Sequence, residues 1–242
     1  MSSRVLRTDA DGLCTLTLNR AEKLNALDTE TFEVLDAHLA ALEQEQDRIG
    51  CVVLRGAGRA FCAGADLNSI AAATVSFKPK VIDRLADLPQ PTIAAIHGAC
   101  FTGALELALA CDFLVADPTA RFADTHGKWG LVGAWGMIQR LPRRIGRAAA
   151  KRMMLTARVI DSAEARELGL IDVLAADDEL DAAVSQLAGE LLANSWHTNF
   201  HTKRIMRETE GRSLAQALAW EGEHYPGYAP DYPQRVAAFR KK

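Results

Sequence analysis

The sequence lacks long hydrophobic runs, and no stretch approaches the roughly 20 apolar residues that a membrane-spanning helix requires. It also shows no signal-peptide core, because Arg4 and Arg7 interrupt its first apolar residues. Basic residues are not in excess, because 28 basic and 31 acidic residues give a formal net charge of −3. We therefore expect neither a membrane protein nor a nucleic-acid-binding protein.

Paired cysteines are missing as well. The five cysteines are odd in number, form no Cys-x-x-Cys pair, and in several cases lie within apolar runs. They are Cys14, Cys51, Cys62, Cys100 and Cys111. This usage is typical of reduced cysteines in a protein core, and it predicts a cytoplasmic location.

Several well-known site motifs are absent. No Walker-type phosphate loop and no Gly-x-Ser-x-Gly elbow occurs. The stretch after residue 55 begins like a dinucleotide-binding loop, but Phe61 stands where the third glycine belongs. His197 and His201 have the spacing of a zinc protease, yet Thr198 replaces its glutamate, so two surface histidines are the simpler interpretation and no metal is expected.

The apolar pattern that is present predicts an α/β architecture. Four short apolar runs have the character of strands, and segments of helical spacing separate them; the runs are 13–18, 51–54, 92–96 and 113–116. From about residue 133 helical patterns dominate. We therefore expect an α/β core carrying the site over 1–175 and a helical region over 176–242. The tyrosines of the C-terminal segment predict that it docks on another surface.

Two loops rich in small residues follow predicted strands, at 61–67 and 96–106. Small residues let another molecule approach the backbone, and two such loops side by side present N–H groups to one developing oxyanion. Tight strand-to-helix turns are the alternative interpretation. Glu106 lies among alanines and leucines, which predicts a buried carboxyl with a raised pKa, suited to a general base.

Asp124 precedes His126 by two residues in a third loop of small residues. Its carboxylate either orients the imidazole or caps a turn of the backbone, and the sequence supports both interpretations equally.

Three segments in this order and spacing resemble the crotonase superfamily, the enoyl-CoA hydratase/isomerase family. They are Asn19–Leu27, Gly58–Leu67 and Gly98–Ala110, and the likeness extends from about residue 5 to the C-terminus. The resemblance implies the crotonase-like (ClpP/crotonase) fold, an α/β core of repeated ββα units followed by a helical C-terminal trimerisation region. It also implies a homo-oligomer, either a trimer or a dimer of trimers.

The resemblance further implies an acyl-CoA thioester substrate, with coenzyme A present only as part of that substrate and no other cofactor. The backbone N–H groups of Ala65 and Gly103 fall at the oxyanion-hole positions of the family. Glu106 matches the glutamate that activates water in the hydratases. The family's CoA-binding positions correspond to Lys23, Leu24, Ala63, Asp66 and Leu67, with Lys242 contributed from a neighbouring subunit's tail.

One departure from the family concerns the second hydratase glutamate, which aligns with His126. Histidine exchanges protons near neutral pH but does not restore a two-carboxylate site. We expect hydration of trans-2-enoyl-CoA to 3-hydroxyacyl-CoA, with Glu106 as base and His126 as proton donor or its orienter. The alternatives are Δ3–Δ2-enoyl-CoA isomerisation, a His-assisted acyl-CoA hydrolase or lyase, and a non-catalytic acyl-CoA binder.

Overall fold

The computed structural model of the chain describes residues 3–67 and 76–240. Within these residues the strands form two sheets of six and three strands. The strands are β1 (Val5–Ala10), β2 (Leu13–Leu18), β3 (Cys51–Gly56), β4 (Thr92–Ile96), β5 (Ala99–Phe101), β6 (Phe113–Ala116), β7 (Arg121–Ala123), β8 (Ile160–Asp161) and β9 (Val173–Leu174). The four strands predicted from apolar runs are confirmed as β2, β3, β4 and β6.

Helices follow and separate these strands. They are α1 (Thr29–Leu42), α2 (Phe77–Asp87), α3 (Gly103–Ala108), α4 (Met137–Ile145), α5 (Arg147–Thr156), α6 (Ser162–Glu167), α7 (Leu180–Ala193), α8 (Trp196–Thr209), α9 (Leu214–Glu223) and α10 (Tyr232–Phe239). The helical character expected after residue 133 is confirmed. The division into two parts at residue 175 stays a prediction.

The larger sheet has the strand order β1-β2-β3-β4-β6-β9. β1 and β2 form an antiparallel hairpin, and every later pairing in this sheet is parallel. Parallel neighbours end at the same edge of a sheet. The loops that follow β3 and β4 therefore emerge side by side, and these are the two small-residue loops of the sequence.

The sheet is buried on both faces, which explains the continuous apolar runs of its central strands. Val52 and Leu54 of β3 face the main core, whereas Cys51 and Val53 face a second apolar cluster. Helix α7 covers that second face with its buried apolar side chains. The region after residue 175 thus contributes directly to the packing of the sheet.

Helix α1 shows how sequence signals set the limits of an element. Asp28 caps its start by accepting a hydrogen bond from the Thr31 backbone N–H at 2.8 Å. The helical stripe of Phe32, Leu35 and Leu39 is buried in the main core, as its spacing predicts. This helix packs against α2 and the β1 hairpin, next to the loop that carries the first sequence motif.

The two last helices are unusual because they bury no side chain within the chain. Helices α9 and α10 expose Leu214, Leu218 and Phe239, the last of them at 80% of its surface. The connecting segment exposes Tyr225 and Tyr228 in the same way. The C-terminal segment is attached to its own chain by hydrogen bonds from Ser195 to Asp231 at 2.7 Å and from Arg235 to the Ala193 carbonyl at 2.9 Å. These bonds leave the tyrosine rings exposed.

Among the described residues, no helix is both long enough and apolar enough to cross a membrane. The five cysteines are buried, free thiols, so their expected place in the core is confirmed. Burial raises the pKa of the Cys62 thiol to about 12, which keeps it protonated and unreactive at neutral pH.

Candidate active site

Two backbone amides meet where the loops after β3 and β5 approach each other. A Cβ atom placed on Gly103 would lie 3.3 Å from the backbone nitrogen of Ala65. A Cβ atom on Gly64 would lie 3.6 Å from the nitrogen of Gly103. Within the described part of the chain, neither amide donates to a protein acceptor. The geometry thus leaves two neighbouring N–H groups for an external acceptor.

A short stretch of parallel pairing between two loops fixes the orientation of the Ala65 amide. Leu27 donates its N–H to the Gly64 carbonyl at 2.8 Å, and Asp66 donates to the Leu27 carbonyl at 3.0 Å. In this pairing only alternate amides face the partner chain. The N–H of Ala65 therefore points away from the ladder that holds its two neighbours.

The carboxyl group of Glu106, three residues after Gly103 in α3, is buried at 1% exposure. Its Oε1 accepts hydrogen bonds from the backbone N–H of Trp135 at 2.8 Å and of Met137 at 3.1 Å. These two bonds fix one oxygen and leave Oε2 directed at the imidazole of His126, 3.7 Å from Nε2. The burial predicted for Glu106 is confirmed.

His126 lies between two carboxylates. Its Nδ1 is 2.6 Å from Oδ1 of Asp124, and Oδ1 also accepts the backbone N–H of His126 at 3.1 Å. One oxygen of Asp124 thus both orients the imidazole and caps the turn, so both interpretations left open by the sequence are correct. Asp124 itself is buried, at 4% exposure.

The environment raises the pKa values of Glu106 and His126. Burial raises the pKa of Glu106 above its ordinary value, although the amides of Met137 and Trp135 and the charge of His126 oppose the shift. Burial by itself lowers the pKa of His126, but the hydrogen bond to Asp124 and the charges of Glu106 and Asp124 outweigh it, so this pKa is raised. Both directions favour proton exchange near neutral pH.

Trp135 forms one wall of the site. A Cβ on Gly103 would lie 2.5 Å from Cζ3 of this indole, which shows how closely the ring covers the glycine. The ring also contacts Phe32 edge-on, with centroids 5.1 Å apart. Lys78 is buried nearby, with Nζ 5.7 Å from both ring centroids, and burial lowers its pKa. No local sequence pattern places these three side chains together.

The residues expected to bind CoA, apart from Lys242, lie on two neighbouring loops next to Ala65. The backbone N–H of Ala63 donates to the Leu24 carbonyl at 2.9 Å, which brings the two loops together. Lys23 is exposed beside Leu24, and Leu67 is 49% exposed. The carboxylate of Asp66 accepts a hydrogen bond from Arg20 at 2.7 Å. Lys242 lies outside the described residues.

Asn25 is a structural residue that the sequence motif contained but did not explain. It is 1% exposed, and its amide nitrogen lies within hydrogen-bonding distance of three carbonyl oxygens. These carbonyls belong to Ala57 at 2.8 Å, Ala60 at 2.8 Å and Phe61 at 3.2 Å. Asn25 thus fastens the first-motif loop to the loop that leads to Ala65.

Fold and site together define a class of protein: an α/β enzyme with two neighbouring backbone amides, a buried carboxyl group and a histidine. Comparison with known proteins agrees with this class. The sequence model of the enoyl-CoA hydratase/isomerase family matches residues 8–228. The chain therefore belongs to the enoyl-CoA hydratase/isomerase family, and the resemblance and fold expected from the sequence are confirmed.

Individual relatives cover almost the whole chain. A mitochondrial methylglutaconyl-CoA hydratase of Homo sapiens is 35% identical over 99% of this chain and 74% of its own length. A 1,2-epoxyphenylacetyl-CoA isomerase of Escherichia coli is 33% identical over 96% of this chain and 93% of its own. The crystal structure of an enoyl-CoA hydratase from Bacillus anthracis superimposes with a TM-score of 0.93 at 30% identity, covering 98% and 96% of the two chains.

Proposed function

We propose that the chain catalyses addition of water to trans-2-enoyl-CoA, giving 3-hydroxyacyl-CoA. The observation that carries this proposal is the position of Glu106, a buried carboxyl with one fixed oxygen and one oxygen turned toward His126, on the helix that begins at Gly103. The amide of Gly103 in turn lies next to that of Ala65. A base, a proton donor and two oxyanion donors are the groups that hydration of a thioester-conjugated double bond requires.

In the proposed reaction, Oε2 of Glu106 takes a proton from water as the water oxygen bonds to the β-carbon. The π electrons move toward the thioester, whose oxygen gains negative charge between the N–H groups of Ala65 and Gly103. The α-carbon then accepts a proton from Nε2 of His126. Transfer of the proton from Glu106 to His126 restores both groups, so the net change is addition of one water molecule.

The CoA portion binds, in this proposal, along the rim formed by Lys23, Leu24, Ala63, Asp66 and Leu67, with Lys242 supplied by a neighbouring subunit. Lys23 suits a CoA phosphate because its ammonium group is exposed at that rim. The carboxylate of Asp66 acts indirectly, through its ion pair with Arg20. Coenzyme A enters and leaves as part of the substrate, and the proposed steps use no further cofactor.

We also propose that the chain forms a homo-oligomer, a trimer or a dimer of trimers. Helices α9 and α10 expose large apolar side chains and bury none, which is costly for a helix facing water alone. A second copy of the chain is the partner that we propose for this surface, in keeping with the homo-oligomer that the family resemblance implies. A cytoplasmic location and the lack of membrane or nucleic-acid partners stay predictions.

Isomerisation of Δ3- to Δ2-enoyl-CoA is the second candidate. Glu106 is a single buried base, and one base suffices to move a proton across a thioester enolate. The matching family model covers enoyl-CoA isomerases as well as hydratases, which makes this candidate worth testing directly.

The test follows the absorbance of the conjugated thioester for a series of trans-2-enoyl-CoA chain lengths. The wild type is expected to consume the conjugated substrate, and Glu106→Gln is expected to lose at least about 100-fold in kcat. Glutamine keeps the acceptor oxygen for Trp135 and Met137, so this variant retains the local fold. His126→Gln is expected to reduce kcat as well, while Glu190→Gln, at an exposed position of α7, serves as the matched control.

Full activity of Glu106→Gln contradicts the proposed mechanism. Appearance of conjugation from 3-enoyl-CoA, with no change in any 2-enoyl-CoA, favours the isomerase. Tight binding of acyl-CoA without turnover of either substrate points to a non-catalytic binder.

A further inference from the structure

A buried carboxylate stands behind the imidazole of His126, on the side away from Glu106. Oδ1 of Asp124 is 2.6 Å from Nδ1, and Oε2 of Glu106 is 3.7 Å from Nε2. The ring therefore has one nitrogen committed to Asp124 and the other facing the reacting groups. The steps proposed for hydration use Nε2 and assign no role to Asp124.

The loop that carries Asp124 is tied to the loop that carries the oxyanion amide. The N–H of Thr102 donates to the Ala123 carbonyl at 2.8 Å. The hydroxyl groups of Thr102 and Thr125 are hydrogen-bonded at 2.7 Å. Thr102 directly precedes Gly103, so these bonds fix the position of Asp124 and His126 relative to the Gly103 amide.

We propose that Asp124 is a positioning residue, which keeps a proton on Nδ1 of His126 and so presents Nε2 to Glu106 and to the α-carbon of the substrate. This inference rests on the proposed function. A histidine with an Nδ1–H donor to a carboxylate has its tautomer and its ring orientation fixed together. The carboxylate also stabilises the imidazolium that must form each time His126 recovers its proton from Glu106.

The charged groups around the ring support this assignment. Glu106 faces it from α3, and Asp124 faces it from its own loop, and both charges raise the pKa of His126 against the effect of burial. The loop that contains Gly133 contacts the ring through its backbone, because a Cβ on Gly133 would lie 3.2 Å from Cε1 of the ring. Lys128 lies two residues after His126 but is exposed. Removal of the Asp124 charge should therefore lower the pKa of His126.

Asp124→Asn is the informative variant, because asparagine retains an oxygen for the His126 backbone N–H and so keeps the turn. It removes only the charge behind the ring. Asp117→Asn is the matched control: Asp117 makes the same kind of turn, accepting from the Thr119 backbone N–H at 2.9 Å and its hydroxyl at 2.6 Å, with no imidazole involved.

The first measurement is nitrogen NMR of the histidine side chains, with the His126 signals assigned by their loss in His126→Gln. In the wild type the neutral ring is expected to carry its proton on Nδ1, with a titration midpoint above that of an ordinary histidine. Asp124→Asn is expected to lower the midpoint, and Asp117→Asn to leave it unchanged. An unchanged midpoint in Asp124→Asn, or a neutral ring protonated on Nε2 in the wild type, overturns the inference.

The second measurement is the pH profile of kcat and KM with a trans-2-enoyl-CoA substrate. Asp124→Asn is expected to reduce kcat by about 10- to 100-fold, to leave KM nearly unchanged and to move the alkaline limb to lower pH. A purely structural Asp124 would leave the alkaline limb in place. Because the NMR measurement needs no turnover, a shifted His126 midpoint in a protein that hydrates no enoyl-CoA contradicts the proposed function while supporting the role of Asp124.

Discussion

At the scale of single residues, the site depends on how little room surrounds Gly103. The indole of Trp135 covers this glycine on one side, and the amide of Ala65 lies on another. Any side chain here would enter the space between the two amides, where the thioester oxygen is proposed to bind. The absence of a side chain at residue 103 is thus a requirement of the proposed chemistry as well as of packing.

Gly103→Ala is expected to reduce kcat/KM by about 100-fold or more, the range found when one oxyanion donor is lost. The new methyl group would lie 2.5 Å from Cζ3 of Trp135, so the ring or the loop must move. The measurement is steady-state kinetics, with circular dichroism to establish that the variant is folded. Gly189→Ala in α7 is the matched control, because a Cβ there meets nothing within 4 Å.

The control is expected to retain full activity and to gain slightly in stability, by about 0.5–1 kcal/mol, as alanine replaces glycine inside a helix. A folded Gly103→Ala enzyme with wild-type kcat/KM would show that the amide of residue 103 does not face the substrate.

At the scale of elements, the oxyanion geometry depends on loops that carry little regular structure. The first-motif loop holds the segment before Ala65 through Asn25, which reaches three carbonyl groups and itself adopts a positive φ of 56°. Its Oδ1 accepts the backbone N–H of Arg20 at 2.9 Å. A single side chain therefore takes the place of the ladder hydrogen bonds that a longer strand would provide.

Asn25→Asp is expected to destabilise the fold by about 3 kcal/mol or more, because it removes the donor for three buried carbonyls and adds a buried charge. Urea unfolding measures this change, and kcat/KM should fall with it if the loop positions Ala65. Asn194→Asp is the control, since this exposed residue makes one bond, to the Glu190 carbonyl at 3.1 Å. Equal losses of stability in the two variants would refute the special role of Asn25.

At the scale of the whole molecule, sequence patterns predicted the helices and strands better than the contacts between them. Burial of Glu106 followed from its alanine and leucine neighbours, and α1 followed from a cap and an apolar stripe. The two amides bonded to Glu106 lie about 30 residues further along the chain, at Trp135 and Met137, where no local pattern marks them. Such contacts arise from tertiary packing, which local spacing does not encode.

The exposed apolar surface of α9 and α10 predicts self-association. Light scattering at micromolar concentration is expected to give three or six times the mass of the 26.3 kDa chain. Leu218→Lys, at a side chain exposed to 58%, is expected to weaken the assembly, and Gln186→Lys at an exposed position of α7 is expected to leave it intact. A wild-type protein that remains a monomer would contradict the proposed oligomer.

The proposed function requires that this site adds water across a double bond conjugated to a thioester. Its most direct test is to incubate the enzyme with a trans-2-enoyl-CoA in water labelled with oxygen-18 and to analyse the acyl-CoA product by mass spectrometry. We expect one heavy oxygen atom, located on the β-carbon, and loss of this product in Glu106→Gln. Recovery of substrate without label, or of a rearranged enoyl-CoA that contains no added oxygen, would contradict it.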